Sequence, residues 1–129
     1  CIKYNGLELV TALKSKFPNN LILVDLKTMD AGEYEATPFY EAGADICTVL
    51  GVSDKATMGG VIKAANANNA EAQIDLISVK DKKAVATEAA RNGAQIIGVH
   101  TGLVVGAAIY GADSPAEAAK ELRALVDAA

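Results

Sequence analysis

The chain reads as an α/β protein built on a parallel sheet, for three reasons. Four short runs rich in Val, Ile and Leu open at Leu21, Ile46, Gln73 and Gln95, and they recur at intervals of roughly 25 residues. A stretch with helical character separates each run from the next, which is the spacing of repeated βα units and not of hairpins. Of the 129 residues, 51% are hydrophobic but only 5% aromatic, with no Trp, a composition that suits alanine-rich helices over aliphatic strands. A chain of this length forms one domain, and a parallel sheet of this kind is expected to be covered on both faces.

Each element has a local reason. Asn5-Gly6-Leu7-Glu8 predicts a helix start, with Asn5 as cap and Glu8 reaching back, followed by Leu9, Val10 and Leu13 and ended by Pro18. The first strand runs from Leu21 to about Lys27, and Ala31-Gly32 then give the chain a place to turn. A helix over Glu33 to Glu41 follows, stopped at Gly43, with Thr37-Pro38 leaving open a break or a later start. Ile46 to Leu50 is the second strand, closed by Gly51, and Ser53 and Asp54 are placed to cap a helix from Lys55 to about Asn68. Gln73 to Ser78 is the third strand, with Asp75 inside it. Lys82 to about Asn92 is the next helix, stopped by Gly93, and Gln95 to His100 is the fourth strand, ending in the chain's single histidine.

Beyond that point the rhythm breaks. Leu103-Val104-Val105-Gly106 has the pattern of a fifth strand, and Ser114-Pro115-Ala116-Glu117 is a capping box that opens a helix to about Asp127. Only Thr101-Gly102 lie between the fourth and fifth strands, whereas a parallel crossover needs about a dozen residues or more.

Composition excludes several functions. A net charge of -4 supplies no basic footprint for nucleic acid. No apolar run approaches the ~20 residues of a membrane span and the N-terminus lacks the form of a signal peptide, so the expectation is a cytoplasmic protein with no membrane contact. Cys1 and Cys47 make no disulfide framework, and Cys47 reads as a small buried thiol.

The chemistry concentrates at the end of the first strand. Side chains alternate along a strand, so Asp25 and Lys27 share one face while Val24 and Leu26 point the other way. Asp30 follows three residues later. Ligands of parallel α/β folds gather at the carboxyl ends of strands, and Asp25, Lys27, Asp75 and His100 all fall in or at the ends of strands, so they can converge. Asp30 equally suits a helix cap, and Asp75 a hydrogen-bonded core carboxylate.

The stretch DLKTMDAGEYEA from Asp25 to Ala36 resembles the D-x-K-x-x-D motif of the orotidine monophosphate decarboxylase suprafamily. With TVLG at Thr48 to Gly51, QIDLI at Gln73 to Ile77, VHTG at Val99 to Gly102 and GAAIYGA at Gly106 to Ala112, it is similar to the 3-hexulose-6-phosphate synthase family within that suprafamily. The resemblance implies a homodimeric (β/α)8 TIM barrel, a lyase that joins formaldehyde to D-ribulose 5-phosphate with Mg2+ and an enediolate intermediate. By resemblance Asp25 serves the metal, Lys27 stands beside the enediolate, and Asp30 reaches across the dimer. Asp75 is the acidic position further along, His100 handles protons, and Gly106 and Ala107 hold the substrate phosphate. A phosphohexuloisomerase is the implied partner for the product.

Aligned with that pattern, the chain is one partial barrel domain over residues 1–129 with about five of eight strand equivalents. The first strand and the second, with its metal-binding Glu, precede Cys1. The jump from VHTG to LVVGAAIYG passes over the sixth helix, the seventh strand and a phosphate loop. A closed barrel takes ~200 residues or more, so the expectation is a shortened synthase or a sequence from which segments are left out. Two alternatives accompany it. One is 3-keto-L-gulonate-6-phosphate decarboxylase, against which stand Asp75 where that pattern has Glu and Leu103 where it has Arg. The other is an inactive remnant that acts as a binding or assembly module.

Overall fold

The computed structural model describes residues 2–99 and, beyond them, residues 113, 114, 116, 117 and 120. The elements are α1 (Ile2–Lys16), β1 (Leu23–Thr28), α2 (Gly32–Glu41), β2 (Ile46–Leu50), α3 (Lys55–Ala67), β3 (Glu71–Asp75), α4 (Lys82–Arg91) and β4 (Ile96–Gly98). The strands form one sheet in the order β1-β2-β3-β4, and every neighbouring pair is parallel. The predicted βα rhythm is therefore present. The fifth strand from Leu103 lies outside the described residues, and the helix opened at Ser114 lies largely outside them.

Local chemistry explains most boundaries. Gly43 and Gly93 adopt left-handed backbone angles just after α2 and α4, where a glycine stops a helix without a Cβ penalty. The Asp81 side chain accepts from the Ala84 N–H and caps α4. Three expectations need correction. Helical residues begin at Ile2, not after Asn5, although Gly6 interrupts α1 with non-helical angles, so a break does fall where the start was expected. Asp54 occupies the cap position of α3 but its side chain makes no capping bond, while Ser53 Oγ donates to the Leu50 carbonyl at 2.6 Å and so tightens the preceding turn. The third strand, expected over Gln73 to Ser78, runs over Glu71–Asp75 instead, whereas the helix expected over Glu33 to Glu41 is present and passes through Pro38.

The core lies between the sheet and the helices. Val24, Cys47, Val49, Ala72 and Ile74 from the strands meet Ala36, Tyr40, Val61, Ala65 and Ala89 from α2, α3 and α4, all buried in one cluster. Burial pushes the Cys47 thiol up to about 12, with the Tyr40 hydroxyl working the other way, so this cysteine is packing material. Among the described residues the expectation of cover on both faces is not met. With strands in sequence order and each crossover of the usual right-handed sense, consecutive helices are laid on the same side. The opposite face carries Leu23, Asp25 and Lys27, all exposed. In a closed barrel that face is the interior.

Candidate functional site

The sheet brings together three of the sequence-predicted residues. Asp25 and Lys27 lie near the carboxyl end of β1, and Asp75 is the last residue of β3, so one intervening strand separates them. The Lys27 ammonium donates to both oxygens of Asp25, at 3.0 and 2.8 Å, and to Asp75 Oδ2 at 3.1 Å. The other oxygen of Asp75 accepts from the Ile77 N–H at 2.9 Å, which fixes the carboxylate plane. Asp75 is 5% exposed, whereas the side chains of Lys27 and Asp25 are 40% and 51% exposed. The group thus has a buried carboxylate behind, an ammonium in the middle and an accessible carboxylate in front.

Among the described residues the cluster sets two carboxylates against one ammonium. Its effect on Lys27 is clear in sign. The hydrogen bond to Asp25 is the largest influence, partial burial opposes it, the bond to Asp75 adds to it, and the outcome raises the amine above the ordinary lysine value of 10.5. Lys27 is therefore a fixed cation at neutral pH.

The backbone here is irregular. Val24 pairs with Cys47 and Thr28 with Val49, so β1 uses four residue steps where β2 uses two. The surplus forms a bulge over Asp25, Leu26 and Lys27, and Lys27 takes a left-handed φ of 48°. For a non-glycine residue that costs on the order of 1 kcal/mol and is concentrated in nature at working sites. Thr48 sits on β2 opposite the bulge. Its Oγ1 accepts from the Lys27 N–H at 3.0 Å and donates to Asp25 Oδ1 at 2.7 Å. Sequence reasoning quoted Thr48 only as part of a motif. The available signal was a hydroxyl within an otherwise apolar strand, but the bulge that aims it at Asp25 is a property of register.

Asp30 stands apart from this cluster. Asp30 is exposed, and its Oδ1 accepts from the adjacent Ala31 N–H at 2.7 Å. Ala31, and not Gly32, takes the left-handed turn into α2, with φ 47°. Gly32 is needed for space: a Cβ there would lie 2.0 Å from the Thr57 carbonyl oxygen. His100, Gly106 and Ala107 lie outside the described residues.

A parallel βα array with charged side chains collected at the carboxyl ends of its strands defines an α/β protein of the TIM-barrel type, here as part of a barrel. Within that class, residues 1–103 match the orotidine 5'-phosphate decarboxylase / HUMPS family, and the chain belongs to that family. It is 67% identical over 103 residues to 3-hexulose-6-phosphate synthase of Methylomonas aminofaciens, covering 80% of this chain and 49% of that protein. It is 36% identical to the 3-hexulose-6-phosphate synthase of Mycobacterium gastri over 171 aligned positions, covering 97% of this chain and 83% of that protein. A crystal structure of 3-hexulose-6-phosphate synthase superposes with a TM-score of 0.80 at 35% identity, covering 95% of this chain and 82% of that one.

The chain thus spans about half the length of the Methylomonas relative. The 171 positions aligned with the Mycobacterium protein exceed this chain's 129 residues, so at least 42 of them have no counterpart here. The family match stops at residue 103, beside the Thr101-Gly102 junction where the strand rhythm breaks. Among the described residues no helix is long and apolar enough to cross a membrane.

Proposed function

We propose that this chain carries the charged half of a sugar-phosphate lyase site, one that condenses formaldehyde with D-ribulose 5-phosphate to give 3-hexulose 6-phosphate through an enediolate. The observation that carries the reading is the Lys27 ammonium held between Asp25 and Asp75 at the strand ends. An enediolate concentrates negative charge on adjacent oxygens, and a preoriented cation in a partly water-excluded site stabilises it without reorganising during the reaction. Lys27 suits that task because its raised pKa keeps it charged and three hydrogen bonds keep it in place. It is a donor and an electrostatic anchor, not a base.

Mg2+ fits the donor chemistry in a limited way. No group of three or more His, Cys, Asp or Glu side chains converges among the described residues. Asp25 still offers hard oxygens on a half-exposed carboxylate, and Mg2+ commonly takes one or two carboxylates and completes its shell with water and substrate oxygens. Asp25 would hold the ion, with Asp75 kept behind Lys27 as the buried counter-charge. When bound, Mg2+ supplies additional positive charge to oxygens of the reacting sugar. Asp30, exposed beyond the strand end, would serve a neighbouring subunit in a homodimer. The proposed product would pass to an isomerase for hexulose phosphates.

The test is formaldehyde-dependent loss of ribulose 5-phosphate, expected to be abolished by chelator and by Lys27→Ala. Robust turnover by the Lys27 variant would refute the role given to that residue. Carbon dioxide release from 3-keto-L-gulonate 6-phosphate would move the reading to the sibling decarboxylase. Absence of turnover in both assays would favour a binding or assembly module.

A further inference from the structure

We propose that Thr48 is a positioning residue for this site, because its one hydroxyl ties the irregular backbone of Lys27 to the carboxylate of Asp25. The inference rests on the lyase reading for its catalytic consequence, but not for its geometry. The bulge between Val24 and Thr28 takes Lys27 out of the regular ladder, so its N–H needs a partner that the β2 backbone does not provide in register. Thr48 Oγ1 is that partner at 3.0 Å.

A hydroxyl has one proton to give, and here it goes to Asp25 Oδ1 at 2.7 Å, which leaves the oxygen lone pairs free to accept from Lys27. The direction of both bonds is thereby fixed. Thr48 is 2% exposed, so water does not readily replace it. Lys27 Nζ in turn grips the carboxylate that Thr48 orients, closing a loop through Thr48, Lys27 and Asp25. Valine has the shape of threonine and can make neither bond. Serine can make both.

The experiment compares Thr48→Val and Thr48→Ser in the full chain by two readouts. The first is amide hydrogen exchange at Lys27, normalised to Ile74 in the middle of the sheet. Thr48→Val is expected to speed Lys27 exchange about tenfold relative to Ile74, while Thr48→Ser stays near the parent. The second is steady-state kinetics with formaldehyde and ribulose 5-phosphate, where Thr48→Val is expected to lower kcat about 10- to 100-fold with KM changed far less, and Thr48→Ser to recover most of it.

Unchanged relative exchange at Lys27 in Thr48→Val would overturn the proposal, as would a uniform rise across β1 to β3, which would leave Thr48 a packing role only. Equal loss of kcat in the valine and serine variants would also overturn it. If the parent chain shows no turnover, the lyase reading fails by itself and the exchange comparison decides the role of Thr48. If Thr48→Val does not fold, Thr48→Ala supplies the same comparison with both γ groups removed.

Discussion

Replacing Gly32 by alanine tests whether the contact between α2 and α3 is as tight as the structure makes it. The added Cβ would lie 2.0 Å from the Thr57 carbonyl oxygen, 3.0 Å from its carbon and 3.1 Å from Val61 Cγ2. Carbon and oxygen approach comfortably to about 3.3 Å, so the shortfall is about 1.3 Å and falls on backbone, which cannot rotate aside. The two helices must part by about an ångström. Gly60 on α3 faces the same seam, since a Cβ there would meet the Glu33 nitrogen at 2.7 Å, so local tilting gives little relief.

Overpacking of this kind typically costs ~1–3 kcal/mol, and the lost dispersion across a widened seam adds to it. Gly32 is the first residue of α2, so better helix propensity returns only about a few tenths of a kcal/mol. A net loss of about 2–3 kcal/mol is expected, measured as a lowered urea midpoint at unchanged slope by circular dichroism. Gly59 on α3 is the control, because a Cβ there meets nothing within 4 Å. Gly59→Ala should gain about 0.5–1 kcal/mol. Gly32→Ala within about 0.5 kcal/mol of the parent would refute the close-approach reasoning.

The remaining predictions concern single polar groups. Asp45 accepts from Lys14 Nζ at 2.7 Å and from the Ile22 N–H at 2.7 Å; burial pushes its carboxyl up, but these bonds outweigh it and hold the group below 3.8. Its contribution is therefore present in full above 3.8 and lost as pH falls through the lower folded value. Asp45→Asn should cost about 1 kcal/mol at pH 7, discounted because both side chains are nearly one-third exposed, and the gap to the parent should close in acid. A gap that is constant from pH 7 into strong acid would count against the ion pair. Thr28 Oγ1 is buried and finds no hydrogen-bond partner among the described residues. Thr28→Val should thus be neutral or stabilise by up to about 1 kcal/mol in chemical denaturation, and a loss above that would mean the hydroxyl is satisfied in solution.

Much of the architecture was legible because its signals are local. The recurrence of aliphatic runs and helical stretches depends on near neighbours, and so do the glycine stops at Gly43 and Gly93. Strand periodicity put Asp25 and Lys27 on a common face, and across the bulge their charged ends still meet at 2.8 Å. The family motif over Asp25 to Ala36 added direction, and the match over residues 1–103 agrees with it.

What escaped the sequence depends on contacts between segments far apart in the chain. Asp75 was expected to be able to converge with Lys27, 48 positions away, but the direct contact of its carboxylate with the ammonium is decided by the register of β1, β2 and β3. The turn was expected at Ala31-Gly32 without saying which residue takes the left-handed angle; Ala31 does, while Gly32 answers to the close backbone of α3. By itself the sequence determined the βα order and the charge-bearing strand end, because periodicity and turn chemistry are written in adjacent residues. Only the tertiary structure decided the bulge at Lys27, the hydroxyl of Thr48 that fills it, and the side on which the described helices lie, because register and crossover hand arise when whole elements pack against one another.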